Sequence, residues 1–528
     1  MSPRTGDAPL FSIVTPVYAP PLDALREMIA SVKDQTCDDW ELILVDDASP
    51  DDAVRSLLRS EAASDHRIRV IEREVNGGIV AASNTALAEV GGEWVVLVDH
   101  DDLVTSNALQ QVSDVLTPEV DYVYSDEDKV GDDGVFYDRF RKPTWSPERL
   151  RHQMYTSHLS VLRTALVREV GGFREGFEGS QDHDLVLRVT ERAREVVHIP
   201  KVLYHWRVVP GSAAGDPDAK PYAWVAGRKA VQEHLDRVGI RAVAEFGDAP
   251  GLYRIVREAN LDRSVSVIIP TRGGDGLVWG DRRCFVLEAV RSLLAHTEMP
   301  LLEIVVVYDL ATPDVVLEQL KVIAGDKLVL VPFAGEFNFS KKCNEGFLSS
   351  SGEIIILMND DVEAVSDQFV ETLVAPLEEP DVGLTGGRLW FPDKTLQHGG
   401  HIYFKDVVFH SYFGWPHDAF GEFSDLRLNR EASGLTGACI ALRREDYELV
   451  GGMSEALPLS FNDVDFSRKL RHVGYRLLWM WEATMFHFES QTRDPRVKEY
   501  EVDFLFKRWP TPDRDLFTPD GLKEYPLW

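Results

Sequence analysis

Gly91–Asp102 reads GGEWVVLVDHDD, and Ser351–Asp361 reads SGEIIILMNDD. Each is a glycine-led run of five apolar residues that ends abruptly in acids. A short continuous apolar run bounded in this way reads as a strand buried on both faces, as in the middle of a parallel sheet. The same punctuation recurs on either side of both runs. Upstream, FSIVTPVY (Phe11–Tyr18) matches VSVIIPTR (Val265–Arg272). Downstream, Gly171-Gly172, Asp182, Asp184, Arg188 and His205 match Gly451-Gly452, Asp463, Asp465, Arg468 and His487. The step from acid to histidine is 23 positions in the first half and 24 in the second. A repeat of this length means two copies of one domain, not a solenoid unit.

Between these marks the first half alternates strand and helix. Phe11–Val17, Glu41–Val45, Ile68–Ile71 and Trp94–Val98 read as strands. Leu22–Gln35 carries Leu22, Leu25, Met28, Ile29 and Val32 at helical spacing, and Ile79–Val90 is a small-residue helix after Asn76-Gly77-Gly78. The expected class is α/β, with a mostly parallel, Rossmann-like sheet in each half. Ligands of such sheets bind outside the carboxyl ends of the strands. Those ends carry Thr15, Pro16, Val17 and Tyr18, then Asp46 and Asp47, then Asp99, His100 and Asp101. Three polar sites on one rim are what a nucleotide pocket needs.

The chain has 528 residues, too many for one core. Apolar content of 44% and charged content of 27% are those of an ordinary globular protein. A net charge of −31 argues against a nucleic-acid backbone or a bare anionic membrane as partner. Cys37, Cys284, Cys343 and Cys439 are scattered, with no CxxC pair, which fits a reducing cytoplasm. The start MSPRTGDAPL lacks a signal-peptide pattern, and no run approaches the roughly 18 apolar residues of a membrane span. The expected location is cytoplasmic, with at most peripheral contact at the inner face of the plasma membrane.

Two carboxylates one residue apart can share a hard divalent cation, which in turn grips a diphosphate. Asp-x-Asp alone is a weak signal, and DYVYSDEDKV supplies another at Asp126 and Asp128 that reads as solvated loop charge. The triplet at Asp99 differs because an apolar strand aims it and the second half repeats it. His205 and His487 either complete the two cation shells or are packed, hydrogen-bonded core residues.

The chain resembles a tandem pair of family 2 glycosyltransferases with the GT-A fold, of the two-domain bacterial kind that builds O-antigen and cell-surface polysaccharide. The resemblance is carried by LVDHDD, YSDEDK, GFEGSQDHDLVLR and LYHWR, and then by FNFSKKCNEGF, LMNDDVE, LTGACIALRR, FNDVDFSRKLRHVGY and HFES. It implies domains at 1–240 and 263–495, a connection at 241–262 and a tail at 496–528. It implies a nucleotide-sugar held by Thr15, Pro16, Val17, Tyr18, Asp46, Asp47, Asn76, Asp99 and His100 in the first half. Pro270, Thr271, Arg272, Asp309, Asn344, Asn359 and Asp360 are their equivalents in the second. Mn²⁺ or Mg²⁺ would sit on Asp99, Asp101 and His205, and on Asn359, Asp361 and His487. Asp182 and Asp463 would be the bases of an inverting transfer to a lipid-linked glycan acceptor. Asp46 favours a base whose N3–H it accepts, hence a UDP- or dTDP-sugar.

The second half departs from the pattern where Tyr308 replaces the acid at the end of its second strand, and where Asn359 is neutral. The alternative is therefore one catalytic domain with a degenerate, glycan-binding or scaffolding partner. A nucleotidyltransferase would need a glycine-rich basic loop after the first strand, where TPVYAPPLD has no basic residue. Gly211–Tyr222 reads as a loop able to close over a donor, and EVDFLFKRWP as an amphipathic helix that packs on the body or meets a membrane-borne acceptor.

Overall fold

The computed structural model describes residues 8–131, 133–208, 221–405, 407–488, 497–510 and 512–518. The expected lid at 211–222 lies almost wholly outside the described residues. The chain divides into two compact units, Met1–Val256 and Arg257–Trp528. The first unit takes in most of the stretch expected as a connection. There Ala242–Phe246 pairs with Tyr253–Arg257 in a two-stranded sheet, and Gln232 of the helix Pro221–Val238 bonds Ala244 N and Ala242 O.

The central sheet of the first unit runs Ile68–Glu72, Trp40–Asp46, Phe11–Val17, Trp94–Leu97, Ser160–Arg163, Val120–Val130, Glu195–Arg207, Leu103–Val104. That of the second runs Leu328–Phe333, Leu302–Asp309, Val265–Thr271, Ile354–Met358, Cys439–Arg443, Val382–Trp390, Arg476–His487, Val362–Ala364. The two orders correspond strand for strand, so the repeat read from punctuation is a repeat of topology. The first four strands of each are parallel. The fifth enters antiparallel, which opens the sheet beside the acidic end of the central strand. Apolar side chains fill both faces, for example Ile13, Leu42 and Val96 on one and Val14, Ile43 and Val95 on the other. This is the burial that continuous apolar strands require.

The repeated glycines have a shared reason. Gly92 N donates to Ser12 Oγ at 2.8 Å, and that hydroxyl donates to Glu41 at 2.6 Å. Gly352 N, Ser266 Oγ and Glu303 repeat the clasp at 2.7 and 2.6 Å. A Cβ at either glycine would lie 2.8 or 2.5 Å from the serine backbone nitrogen, so the approach excludes any other residue. Gly172 and Gly452, both at φ +66, are held from below by Asn84 and Asn344, whose amides bond the backbone of Phe173 and Met453.

The Asp-x-Asp at Asp126 and Asp128 is not loop charge. It lies in the strand Val120–Val130, where Asp126 is buried against His198 (2.8 Å). The tail helix Glu499–Arg508 packs on the second unit through Leu505, and Trp509 Nε1 donates to Asp465 at 2.7 Å. Among the described residues no helix is long and apolar enough to cross a membrane.

Candidate active site

The carboxyl edge of the first sheet gathers most of the expected residues. Asp46 is fully buried; one carboxylate oxygen accepts Ser49 N–H at 3.1 Å and the other has no partner. Asp47 is used up locally, accepting Gly77 and Gly78 N–H at 3.0 and 2.7 Å with Arg73 at 3.1 Å, while Asn76 donates to its carbonyl. Thr15 is buried with a hydroxyl that finds no partner, Val17 is buried, and Tyr18 is exposed. His100 reaches Pro16 O at 3.2 Å.

The acidic triplet is completed by a residue that sequence reading passed over. Asp99, Asp102 and His158 each bring one ligand atom within 4.8 Å of the others, so Asp102, not the expected Asp101, stands in this group. The backbone register explains this: Leu97 pairs with Ser160, so His158 ends its loop beside Asp99. Glu127 accepts from His158 N and lies 3.2 Å from His158 Nδ1. Burial opposes charge on this imidazole, but Glu127 and then Asp102 and Asp99 prevail, and its pKa rises to about 9. Glu127 is in turn bonded by the buried Lys142 at 3.0 Å. Burial and the neighbouring acids push Asp102 well above the usual carboxylate range, and burial raises Asp101.

The structure does not bring His205 to the triplet. Successive side chains of a strand face opposite ways. Tyr204 and Trp206 face inward, with rings 4.5 and 5.5 Å from that of His158, and Tyr204 Oη donates to Asp102 at 2.5 Å. His205, between them, bonds Asp128 at 2.5 Å and lies against Phe136, ring centroids 4.1 Å apart and tilted by 33°. In the second unit the pairing starts one residue sooner after the triplet: His487 sits opposite Val362, whereas His205 sits opposite Leu103. The counterpart of His487 is thus Trp206, which is what the 23 and 24 spacings record.

The second unit carries a cavity of about 830 Å³ lined by Thr271, Asn359, Asp361, His401, Asp463 and His487, with Pro270, Arg272 and Asp360 also on its wall. His487 Nδ1 is 2.8 Å from the Gln397 side-chain oxygen, which only accepts, so the ring hydrogen belongs on Nδ1. The Nε2 lone pair then faces Asp361 at 3.1 Å and the Asn359 amide at 3.3 Å. An imidazole oriented by an outer acceptor beside a carboxylate suits a divalent cation. In the first unit, two carboxylates and an imidazole offer a comparable set once a cation displaces the ring proton that Glu127 and the acids hold on His158. Asn344 supports the Gly451-Gly452 loop and is not on the cavity wall.

Asp182 and Asp463 both stand in the first turn of a helix, Gln181–Thr190 and Asn462–His472. Burial, and then the charge of Asp99, raise Asp182 to about 6. Burial also acts on Asp463, but His401 and the Gly437 N–H bond at 2.9 Å hold it below its ordinary value. His401 lies in a group with His398 and His410. His398 Nε2 accepts Thr436 N–H, and the Nδ1 atoms of His398 and His410 are 2.7 Å apart, a hydrogen-bonded pair. Burial drives His398 well down and His401 to about 4, so both are neutral near pH 7. The sequence match of Arg188 with Arg468 is corrected: Arg188 donates to Gly172 O at 2.7 Å, and Lys469, not Arg468, donates to Gly452 O at 2.7 Å.

The glycosyl transferase family 2 profile matches residues 12–171 and 266–451. The chain is 39% identical over 526 residues to "Uncharacterized protein y4gI" of Sinorhizobium fredii, covering 97% of this chain and 57% of that protein. It is 33% identical over 540 residues to the O-antigen biosynthesis protein RfbC of Myxococcus xanthus, covering 99% of this chain and 42% of that protein. It therefore spans about half the length of these curated relatives. Among solved structures, S. aureus TarS 1-349 in complex with UDP-GlcNAc is similar over 43% of this chain and 67% of that one, with 22% identity and a TM-score of 0.36. Since the same profile matches each of the two sheet-bearing units, the chain belongs to glycosyl transferase family 2, as a tandem pair of α/β domains.

Proposed function

We propose that each unit transfers a sugar from a nucleotide donor to a growing cell-surface glycan, with inversion at the anomeric carbon. One observation carries this reading: in the second unit a helix-start acid, Asp463, lines the same cavity as the strand-end residues Asn359 and Asp361, and Asp182 opens the corresponding helix of the first unit. That arrangement sets a proton acceptor beside a seat for a diphosphate. Asp182 takes the proton of an acceptor hydroxyl as its oxygen bonds to the anomeric carbon. The bond from that carbon to the diphosphate breaks on the opposite face, and the pair of electrons leaves with the nucleoside diphosphate. No covalent sugar–enzyme bond is required.

Asp99, Asp102 and His158 would hold Mn²⁺ or Mg²⁺ in the first unit, and Asp361 and His487 in the second. The cation would neutralise charge on the departing diphosphate. The unpartnered Asp46 oxygen supports a pyrimidine donor, a UDP- or dTDP-sugar, because it can accept an imide N–H. The similarity to an O-antigen biosynthesis protein supports a polysaccharide acceptor; that it is lipid-linked and met from the cytoplasmic side is part of the proposal. The test is nucleoside-diphosphate release from a panel of sugar nucleotides with a glycan acceptor, with and without Mn²⁺. Metal-dependent release that divides between Asp182→Asn and Asp463→Asn for different donors supports two working sites. Release lost only with Asp182→Asn overturns the second, and no release from any donor overturns the reading.

A further inference from the structure

The edge that faces a nucleobase is built with opposite hydrogen-bonding character in the two units. Phe11 pairs with Trp94 and Val265 with Ile354, so these strands occupy the same row of their sheets. Val17 then pairs with Asp46 and Thr271 with Tyr308. Tyr308 thus stands in the place of Asp46, and Asp309 in the place of Asp47. In the first unit this edge ends in a buried carboxylate oxygen with no partner. In the second, Asp309 cannot take over that task. Lys342 Nζ lies 2.5 Å from its Oδ1, donates to Thr271 O at 2.8 Å and is wholly buried. Arg272 stands 3.6 Å from the other carboxylate oxygen and lines the cavity.

The lysine is particular to the second unit. Asn84 and Asn344 make the same bonds to their glycine loops, which aligns the two helices and puts Ala82 where Lys342 stands. The second unit has therefore replaced the carboxylate and added a cation that neutralises its neighbour. Tyr308 packs against the apolar core and is not on the cavity wall, so what remains there toward a base is the Arg272 guanidinium, which offers only donors. An imide N–H, matched in the first unit by Asp46, would meet donors here, and a site of mismatched polar groups rejects its ligand strongly.

We infer that the two units take different nucleotides: the first a base with an imide N–H, the second a base that presents hydrogen-bond acceptors to Arg272. Guanine, cytosine and adenine each have such an edge, whereas uracil and thymine pair their carbonyls with the imide hydrogen. The inference rests on the reading of both units as nucleotide-sugar sites. The experiment is equilibrium binding of UDP, dTDP, GDP, CDP and ADP, each with Mn²⁺, to the full chain and to Asp46→Ala, Asp46→Asn and Arg272→Ala. The expected result is one site per chain for UDP or dTDP, weakened at least about ten-fold by Asp46→Ala and unchanged by Arg272→Ala. A nucleotide of the other group should fill a further site, weakened at least about ten-fold by Arg272→Ala and unchanged by either Asp46 variant. Two sites per chain for UDP or dTDP would overturn the inference, as would a single nucleotide site in all. Absence of all nucleotide binding by the wild type would remove the transferase reading itself, and the inference with it.

Discussion

Asp182 and Asp463 open corresponding helices, yet their carboxyl groups are shifted in opposite directions. Burial and Asp99 lift the first to about 6, while His401 and the Gly437 N–H hold the second down against its burial. A general base works only when ionised, and kcat/KM reports the ionisation of the free enzyme. Transfer that depends on Asp182 should therefore fall about ten-fold per pH unit below 6, and transfer that depends on Asp463 should persist into more acidic buffer. The pH profiles of kcat/KM for the two donors decide this; superimposable profiles would refute it. The sign for stability is the reverse. A folded-state pKa raised above the unfolded value makes Asp182 favour folding at low pH, and that contribution is lost as pH rises through about 6.

Removing either base should leave its donor bound and its transfer slow. Asp182→Asn and Asp463→Asn keep the shape of the side chain but cannot accept the proton. Each should lower the turnover of its own unit by about 10²–10⁴-fold, the usual contribution of a positioned base. Nucleotide affinity measured alongside should change less than about three-fold. A matching loss of affinity would assign these acids to donor binding.

The histidines separate the two cation readings of the first unit. His158→Ala should raise the Mn²⁺ concentration needed for half-maximal release by about 10–100-fold, the range seen when a metal's supporting groups are removed. His205→Ala should leave that concentration unchanged, because its imidazole is spent on Asp128. His487→Ala should act on the second unit as His158→Ala does on the first. Titration of Mn²⁺ into each variant with the relevant donor measures all three.

Gly352→Ala should destabilise the second unit without altering its site. The new methyl would lie 2.5 Å from Ser266 N and 2.6 Å from Ser266 Oγ, so the central strands must part. Overpacking of this kind costs about 1–3 kcal/mol. Gly92→Ala should do the same to the first unit. Thermal unfolding of each variant reads the loss, and an unchanged midpoint would show that the strands can shift at no cost.

The strand–helix alternation and the repeat were legible because buried parallel strands need unbroken apolar runs, and those runs stand out in the sequence. Asp46 and the acids at Asp99 were legible because each ends such a run. His158 was not, since the turn holding it has no periodicity and only the pairing of Leu97 with Ser160 carries it to Asp99. The assignment of His205 failed on a single residue of register, which turns a strand side chain to the other face. Lys342 lies in FNFSKKCNEGF, but its ion pair with Asp309 depends on the packing of the helix Phe339–Ser349 on the sheet edge.

The position of the imidazole has one more consequence. Leu97 pairs with Ser160 in the first unit and Leu357 with Ile440 in the second, which makes Ala438 the counterpart of His158. Trp206 is the counterpart of His487. One unit therefore pairs a histidine on the incoming strand with an indole on the last; the other pairs a methyl group with a histidine. The imidazole has moved from one of two neighbouring positions to the other, and both side chains are smaller in the second unit, so each unit is, at this place, the double mutant of the other. In the first unit, exchanging only His158 leaves no imidazole at this place, and exchanging only Trp206 leaves two. Each copy thus keeps one imidazole beside its acids, delivered by a different strand, and only the double exchange preserves that number.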